Sequence, residues 1–427
     1  MKHLFISFLV SIVLSAEALP INDSVITPNS FRGNDTERIQ AAIDAARKST
    51  GKILIPTVNA NGSNLWKIDH AILLPSDMTV ILDNCILQLS DSCRDNMFRS
   101  DNVGIGIINP QWNKNISIVG IGEVVLKGAS NPRSTGDAYR TLTLHSESEK
   151  GRISYGTDAG KQGRKQKGDW RNNLIQIAYV DGFSLTNIRV EHSHAWAISF
   201  ERTRNAYLSD LRFHNPETIK INGVDKKVYN KDAINLRHGC KYFRINNITG
   251  INGDDLIALS SLDAAPYYHT NGDVNSYQVT STRWNGPEDD TEQIFITNCQ
   301  TNYTGVAIRA SDSAGIHHVY INGVITKERT DTPPPYGGSP YTLLVGGGGY
   351  GSASVAGKIN NIFAMNLMGD GKSLILIESP IADCMFTNGI YTGGAGSAVI
   401  YKIDKNRVRN VKEINMESVN RTEDSGR

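Results

Sequence analysis

Two acidic motifs in the middle of the chain carry residue types that can do acid and base chemistry. The stretch "NGDDLIALSS" places Asp254 and Asp255 side by side before an apolar run, and "YNKDAINL" holds Asn230 and Asp232, the latter 22 residues before Asp254. Clustered carboxylates raise one another's pKa, so one of them can keep a proton near neutral pH while another is ionised. A protonated and an ionised carboxyl at one site are what hydrolysis of a glycosidic bond requires.

The alternatives for these aspartates are an ordinary turn and a cation site. Asp is a common turn residue, and Asp254 and Asp255 follow Asn-Gly. Carboxylate oxygens are also the ligands that Ca²⁺ prefers. The spacing to Asp232 matches about one structural repeat, so the three carboxylates are predicted to converge on one surface groove. An isolated turn does not require that convergence.

The elements that must position these residues are short strands that recur at a nearly constant interval. The spacing is 24 residues from Phe183 to Tyr207 and 25 from Ile294 to Val319. A period in the twenties, built from short strands, predicts a solenoid in which each turn adds a strand to several parallel sheets. A leucine-rich-repeat solenoid would need Leu at fixed offsets and a helix in each repeat, whereas these units are β-branched, Asn-rich and poor in helix. We therefore predict an all-β fold, a parallel β-helix.

The N-terminal part of the chain carries a leader pattern and one helix. Residues 1–18 combine a basic start, a short apolar run and small residues, which predicts a secretory signal peptide and an extracellular or periplasmic protein. Asp35 and Thr36 are good helix-start residues, and the apolar spacing after them predicts an amphipathic helix over about residues 36–47 that caps the stack. Residues 19–427 are predicted to form a single β-helix domain.

Charge, cysteine content and hydropathy exclude several classes of protein. Lys and Arg number 44 and Asp and Glu 43, so the net charge of +1 indicates neither nucleic acid nor an anionic membrane as partner. No apolar run after the leader reaches the roughly 20 residues of a membrane span. The five cysteines are too sparse for a disulfide scaffold and lack CxxC metal spacing. We predict no cofactor and assign no metal ligand.

Four segments resemble glycoside hydrolase family 28, the polygalacturonase family of the pectin-lyase-like superfamily. The stretch "NDTERIQAAIDAARKSTGKILIP" is similar to its N-terminal capping segment, and "DWRNNLIQIAYVDGFSLTNIRVEHSHAWAISF" to the stretch that runs to its nSPxWxI turn, with Trp196 matching. "NKDAINL" is similar to its NTDGIDI motif and "NGDDLIALSS" to its GDDCIAI motif.

This resemblance implies a right-handed parallel β-helix and glycoside hydrolysis by single displacement with inversion. It implies that one aspartate of the adjacent pair, by the family's usual choice Asp255, is the general acid. Asp232 and the remaining aspartate, Asp254, would then hold and deprotonate the attacking water. Asn230 would orient Asp232.

Two motifs of that family do not occur at the expected places. Its GHG motif is replaced by "NYTGVAIRAS", with Thr304 where the His would stand, and its RIK motif by "YTLLVGGGGYG". In polygalacturonases those basic residues grip the substrate carboxylate, so their loss argues against polygalacturonate itself. Arg309 is predicted either to restore the positive charge or to be a solvated strand-edge residue. Arg237, His238 and Trp196 are further groove candidates, with Trp196 alternatively a packed core aromatic.

The sequence thus predicts a secreted, polygalacturonase-like glycoside hydrolase. Its predicted partner is a polysaccharide or oligosaccharide, pectin-like or a related plant or microbial glycan. One alternative is a polysaccharide lyase on the same scaffold, which would need a Brønsted base, often with Ca²⁺. The other is a non-catalytic glycan-binding β-helix, for which three converging carboxylates are not required.

Overall fold

The computed structural model is a right-handed parallel β-helix, as predicted. It describes residues 25–93, 95–104, 107, 109–131, 173–221, 223–227, 231–262, 284–327, 341–346, 354–394 and 396–419. The predicted signal peptide, residues 1–18, lies outside the described residues. Within these ranges, no helix is long and apolar enough to cross a membrane.

One parallel sheet, called the long sheet below, consists mainly of strands of up to 12 residues. In spatial order its strands are β1 (Lys52–Ile55), β4 (Met78–Asp83), β7 (Asn113–Ile121), β10 (Val180–Glu191), β12 (Arg204–Asn215), β16 (Lys241–Asn252), β18 (Thr291–Thr301), β20 (Ile316–Thr326), β22 (Ile359–Gly369), β24 (Ile381–Tyr391) and β26 (Val408–Ser418), with β2 (Leu65–Ile68), β5 (Ile86–Leu89) and β8 (Val125–Lys127) alongside the first of them.

Asn residues with a left-handed backbone form bends within these long strands. Asn187, Asn247 and Asn298 each have a φ of about +55°, in the left-handed region that Asn adopts more easily than most residues. Each bend turns one strand around a corner of the solenoid, and pairing to the neighbouring strands resumes on both sides of the bend residue.

The second parallel sheet, called the short sheet, has strands of three to six residues. In chain order they are β3 (Ile72–Leu74), β6 (Phe98–Ser100), β9 (Ile175–Ala178), β11 (Ile198–Glu201), β15 (Ile234–Leu236), β17 (Ile257–Leu262), β19 (Val306–Ser311), β21 (Tyr341–Val345), β23 (Ser373–Ile377) and β25 (Val399–Tyr401). A separate antiparallel hairpin pairs β13 (Thr218–Ile221) with β14 (Val224–Lys227). Apolar side chains such as Ile198, Phe200 and Ile234 point inward and form the core between the sheets.

Helix α1 (Asp35–Ala46) covers the N-terminal end of the stack, close to the predicted bounds. Asn34 and Glu37 form a reciprocal capping box, which satisfies backbone donors at the first turn. Ile39, Ala42 and Ile43 are fully buried, so the apolar face of the helix closes the core. Short 3₁₀ helices span Pro28–Ser30, Pro287–Asp289 and Lys405–Arg407.

Candidate active site

The two acidic motifs occupy equivalent positions on neighbouring coils. Strands β15 and β17 pair in parallel from their first residues, and Asp232 and Asp255 each stand two residues before their strand. The Ala233 amide donates a 3.0 Å hydrogen bond to the Asp255 carbonyl oxygen, which fixes this register. Asp232 therefore stacks on Asp255, one residue beyond the 22-residue match to Asp254 that the sequence spacing suggested.

Asp232, Asp254 and Asp255, called the carboxylate trio below, converge in space. Each contributes a carboxylate oxygen, and these oxygens all lie within 4.8 Å of one another. Asp232 is 4% exposed and Asp255 2%, whereas Asp254 is partly exposed. Three like charges this close, two of them nearly removed from water, favour retention of a proton by the cluster.

The pKa of Asp232 is raised well above that of an ordinary aspartate. Burial is the largest cause, and the negative charges of Asp254 and Asp255 add to it. The charge of Arg309 and a 2.7 Å hydrogen bond from Asn235 Nδ2 to Asp232 Oδ2 act in the opposite direction. Because burial and like charge prevail, Asp232 keeps its proton to a higher pH than a solvated aspartate does.

Arg309 brings a positive charge into contact with the trio. It lies on β19, the neighbour of β17, and its Nη1 forms an ion pair with Asp255 Oδ2. Its side chain is only 14% exposed, so it is not the solvated strand-edge residue of the alternative prediction. On the next coil the residue in register with Arg309 is Gly346, which carries no side chain to extend this charge.

Thr304 continues the row of residues that contains Asp232 and Asp255. The Leu256 amide donates a 2.9 Å hydrogen bond to the Thr304 carbonyl oxygen, as the Ala233 amide does to Asp255 one coil earlier. Thr304 is 5% exposed. A hydroxyl therefore stands beside the trio at the coil where the resembling family has histidine.

The other predicted site residues lie at different depths. The Arg237 guanidinium carbon lies 5.1 Å from the centroid of the half-buried Trp196 ring, a cation–π contact on the coils of the trio. His238 is 1% exposed, and its Nδ1 lies 3.6 Å from Glu201 Oε1 inside the protein. Asn230 lies outside the described residues.

Sequence analysis missed a row of polar residues on the outer face of the short sheet. Gln176, Ser199 and Asn235 align on β9, β11 and β15, and none is more than 1% exposed. Among the described residues, Gln176 Nε2, Ser199 Oγ and Asn235 Oδ1 have no hydrogen-bond partner. Buried polar atoms without partners cost free energy. The available signal was a polar residue between core residues in "IQI", "ISF" and "INL".

The trio also has the oxygen ligands that a hard cation such as Ca²⁺ would take. The ion pair between Arg309 and Asp255 already neutralises part of its charge, which weakens the attraction for a cation. The donor set therefore fits acid and base chemistry better than a dedicated calcium site. A cavity lined by Asn298, Ile325 and Met368 lies on the long sheet, and the trio does not line it.

Comparisons with known proteins agree with this arrangement. The family model of Glycosyl hydrolases family 28 matches residues 143–272, which include the whole trio. No curated protein sequence gives a significant match. Among solved structures, the chain is similar to a polygalacturonase from Erwinia carotovora ssp. carotovora, with 14% identity, a TM-score of 0.53, and 94% of this chain and 96% of that chain covered.

The chain is also similar to two other solved structures. One is an endo-xylogalacturonan hydrolase from Aspergillus tubingensis, with 12% identity, a TM-score of 0.53, and 93% of each chain covered. The other is a tailspike protein of E. coli bacteriophage HK620, with 14% identity, a TM-score of 0.57, and 93% of this chain and 66% of that chain covered. At such identities these structures establish the fold alone. The family match over the acidic motifs confirms the predicted resemblance to glycosyl hydrolases family 28, and with it the prediction that the chain is a glycoside hydrolase.

Proposed function

We propose that this glycoside hydrolase cleaves a polysaccharide or oligosaccharide with the carboxylate trio as its acid and base. The observation that carries the proposal is the convergence of Asp232, Asp254 and Asp255, with Arg309 in contact with Asp255. General acid–base catalysis needs one protonated and one ionised group at the same bond. A buried cluster of like charges with a single cationic partner favours that mixed state.

In the proposed mechanism the trio shares a proton, and in the free enzyme Asp232 holds it. The raised pKa of Asp232 supports this placement, although the resemblance to family 28 implies that Asp255 is the acid. Both assignments describe one coupled titration, in which the proton belongs to the cluster. Protonation of the leaving oxygen then draws on this shared proton, while an ionised member of the trio deprotonates the attacking water.

We propose inversion of the anomeric centre, as the family resemblance implies. The separation of the carboxylates favours retention instead, because oxygens within 4.8 Å are closer than the roughly 6.5–9.5 Å typical of inverting pairs. The anomer released first, followed by ¹H NMR during early turnover, decides between the two. Release of the retained anomer would contradict inversion and assign one aspartate as a nucleophile.

For the substrate we propose a pectin-like or related glycan whose sugar at the trio carries no free carboxylate. Thr304 stands where a histidine would be, and residues 341–346 on the next coil include no basic residue. Arg309 is engaged by Asp255, so its charge is already compensated. A free uronate beside the trio would add a fourth negative charge, whereas a neutral or esterified sugar would not.

The test is a panel of polysaccharides, including polygalacturonate, its methyl ester and neutral glycans. Assays follow reducing ends and ultraviolet-absorbing unsaturated products. We expect reducing ends without unsaturated product, greatest on neutral or esterified glycans. Asp255→Asn should lower the rate by about 10²–10⁴-fold, which is the usual contribution of an acid or base.

The matched control is Asp210→Asn, because Asp210 is an aspartate on the exposed bend of β12, away from the trio. It should leave the rate unchanged. Unsaturated product that disappears with chelator would favour the lyase alternative. Glycan binding without any bond cleavage would favour the non-catalytic one.

We also propose that the protein is exported, on the leader pattern of residues 1–18. N-terminal sequencing of the protein from the culture medium or periplasm tests this proposal. We expect a mature chain that begins at Leu19. A protein retained inside the cell with Met1 intact would contradict it.

A further inference from the structure

A second cluster of ligating side chains lies on the long sheet, apart from the carboxylate trio. Glu292 near the start of β18 pairs in register with His317 on β20, and His318 follows it. One ligand atom from each of these three residues lies within 4.8 Å of the others. Glu292 and His317 are partly exposed and His318 is exposed, so an ion in solution can reach them.

The backbone brings the two imidazoles to the same side. Consecutive residues of a strand normally point to opposite faces. His318 instead has a φ of +55°, and the Nδ1 atoms of His317 and His318 lie 2.8 Å apart. On the next coil the equivalent residues are Asn360 and Asn361, whose amides bond to each other at 2.6 Å. The histidines replace that amide pair with two nitrogen ligands.

The proton position on His317 is set by a buried carboxylate. His317 Nε2 lies 3.5 Å from Asp290 Oδ2, and Asp290 is 6% exposed. Asp290 is itself held by Trp284 Nε1 at 2.7 Å and by the Gly315 amide at 2.8 Å. A proton on Nε2 leaves the lone pair on Nδ1, facing His318. A carboxylate behind an imidazole is the usual outer partner of a metal-ligating histidine.

Glu292 is held in a similar way. Its Oε1 accepts a 2.7 Å bond from Lys241 Nζ on the preceding coil, and its Oε2 lies 3.6 Å from His317 Nδ1. Lys241 is a cationic side chain in contact with this cluster. It orients the Glu292 carboxylate, and its positive charge partly repels an incoming metal ion.

We propose that Glu292, His317 and His318 bind a divalent transition-metal ion and so join two neighbouring coils. Two nitrogens bonded to one ion at about 2.0–2.1 Å are about 2.9 Å apart at a right angle and about 3.3 Å apart at a tetrahedral angle. The observed 2.8 Å fits the right angle. Tetragonal sites with nitrogen and oxygen ligands are typical of Ni²⁺ and Cu²⁺. This site is independent of the proposed glycan chemistry.

The test measures Ni²⁺ binding to the full chain by isothermal titration calorimetry, with stoichiometry by equilibrium dialysis. We expect one bound ion per chain to be lost in His317→Asn and in His318→Asn. Asn occupies both positions on the next coil, including the one with positive φ, so neither substitution strains the backbone. Ni²⁺ should raise the Tm of the wild type but of neither variant.

Three controls separate this site from others. The variants His70→Asn and Asp232→Asn should both keep the bound ion. His70 is distant in sequence from the proposed site, and Asp232 belongs to the carboxylate trio. Asp290→Asn keeps all three ligands and should weaken binding about 10–100-fold, the usual effect of losing an outer carboxylate. Unchanged Ni²⁺ stoichiometry in His317→Asn and His318→Asn would overturn the proposal, as would loss of the ion in Asp232→Asn.

Discussion

The protein contains two sets of aspartates that contact a residue of a neighbouring coil. The two sets differ in what that residue is. On the long sheet, aspartates lie against an Asn of the next coil, whose Nδ2 donates to the carboxylate. The pairs are Asp77 with Asn115 at 2.8 Å, Asp181 with Asn205 at 2.6 Å, Asp210 with Asn247 at 2.6 Å and Asp383 with Asn410 at 2.9 Å. In the carboxylate trio, Asp232 stacks on Asp255, and the amide that donates to Asp232 belongs to Asn235 of the following strand β15, not to the next coil.

The two arrangements have opposite electrostatic consequences. Partial burial would raise the pKa of Asp181, but hydrogen bonds from Asn205 and Arg204 outweigh it and the pKa is lowered. The pKa of Asp232 is raised, because burial and two neighbouring carboxylates act together. The fold thus has a repeated way to stack an aspartate at little electrostatic cost, and the trio departs from it. That departure supports our proposal that the trio is the site of chemistry.

Among the tests of this comparison, removal of the cation of the trio is expected to have the largest effect. Arg309→Met takes away the positive charge that contacts Asp255 and should disturb the shared proton. We expect kcat/KM to fall by about 10²–10³-fold, comparable to the loss of one preorganised electrostatic contact. Steady-state kinetics on the preferred glycan measure it.

Arg212→Met is the control for this change, since Arg212 is an exposed arginine on β12 and should be dispensable. Arg309→Lys should recover part of the loss, because it restores charge without the planar fork of arginine. Wild-type kinetics in Arg309→Met would show that the ion pair is not needed to balance the trio.

The pH dependence of stability should differ in sign between the two sets of aspartates. The folded-state pKa of Asp232 is raised, so its stabilising contribution is present at low pH and is lost as pH rises through that pKa. Asp232→Asn stays neutral, so its stability relative to the wild type should increase as pH rises. Thermal unfolding from about pH 4 to 8 measures the difference in Tm.

Asp181→Asn should behave in the opposite way. A lowered pKa contributes stability above the unfolded-state value near 3.9, and that contribution is lost as pH falls through the folded value. The variant should therefore be less stable than the wild type at neutral pH and match it in acid. The same sign for both variants would remove the distinction between the two sets.

The sequence was sufficient to predict the β-helix, the capping helix and the convergence of the three aspartates. The strand period and the apolar spacing of α1 are local patterns that can be recognised from the sequence alone. The contact between Arg309 and Asp255 remained one of two alternatives, because the orientation of a side chain on a strand depends on the coil it faces. The exact partner of Asp232 shifted from Asp254 to Asp255, since coils in this fold vary in length.

Two other features could be recognised only with the structure. The row of Gln176, Ser199 and Asn235 became visible only when strand register aligned three separate coils. The paired histidines became a candidate site only when the positive φ of His318 turned its ring toward His317. Both depend on contacts between residues far apart in sequence or on a backbone angle, which residue types alone do not reveal.

The smallest effect is expected when an aspartate replaces one of the asparagines that face an aspartate of the neighbouring coil. Asn247→Asp places a second carboxylate against Asp210 on the exposed face of the long sheet, and Asp tolerates the positive φ of that position. Like charges on neighbouring strands should cost about 0.2–1 kcal/mol, and about 1 M salt should screen most of it. Thermal unfolding at low and high salt measures the cost, with Asp210→Asn as a charge-free control. A salt-independent loss as large as that of a buried group would mean that stacking alone, without burial, produces the electrostatics of the trio.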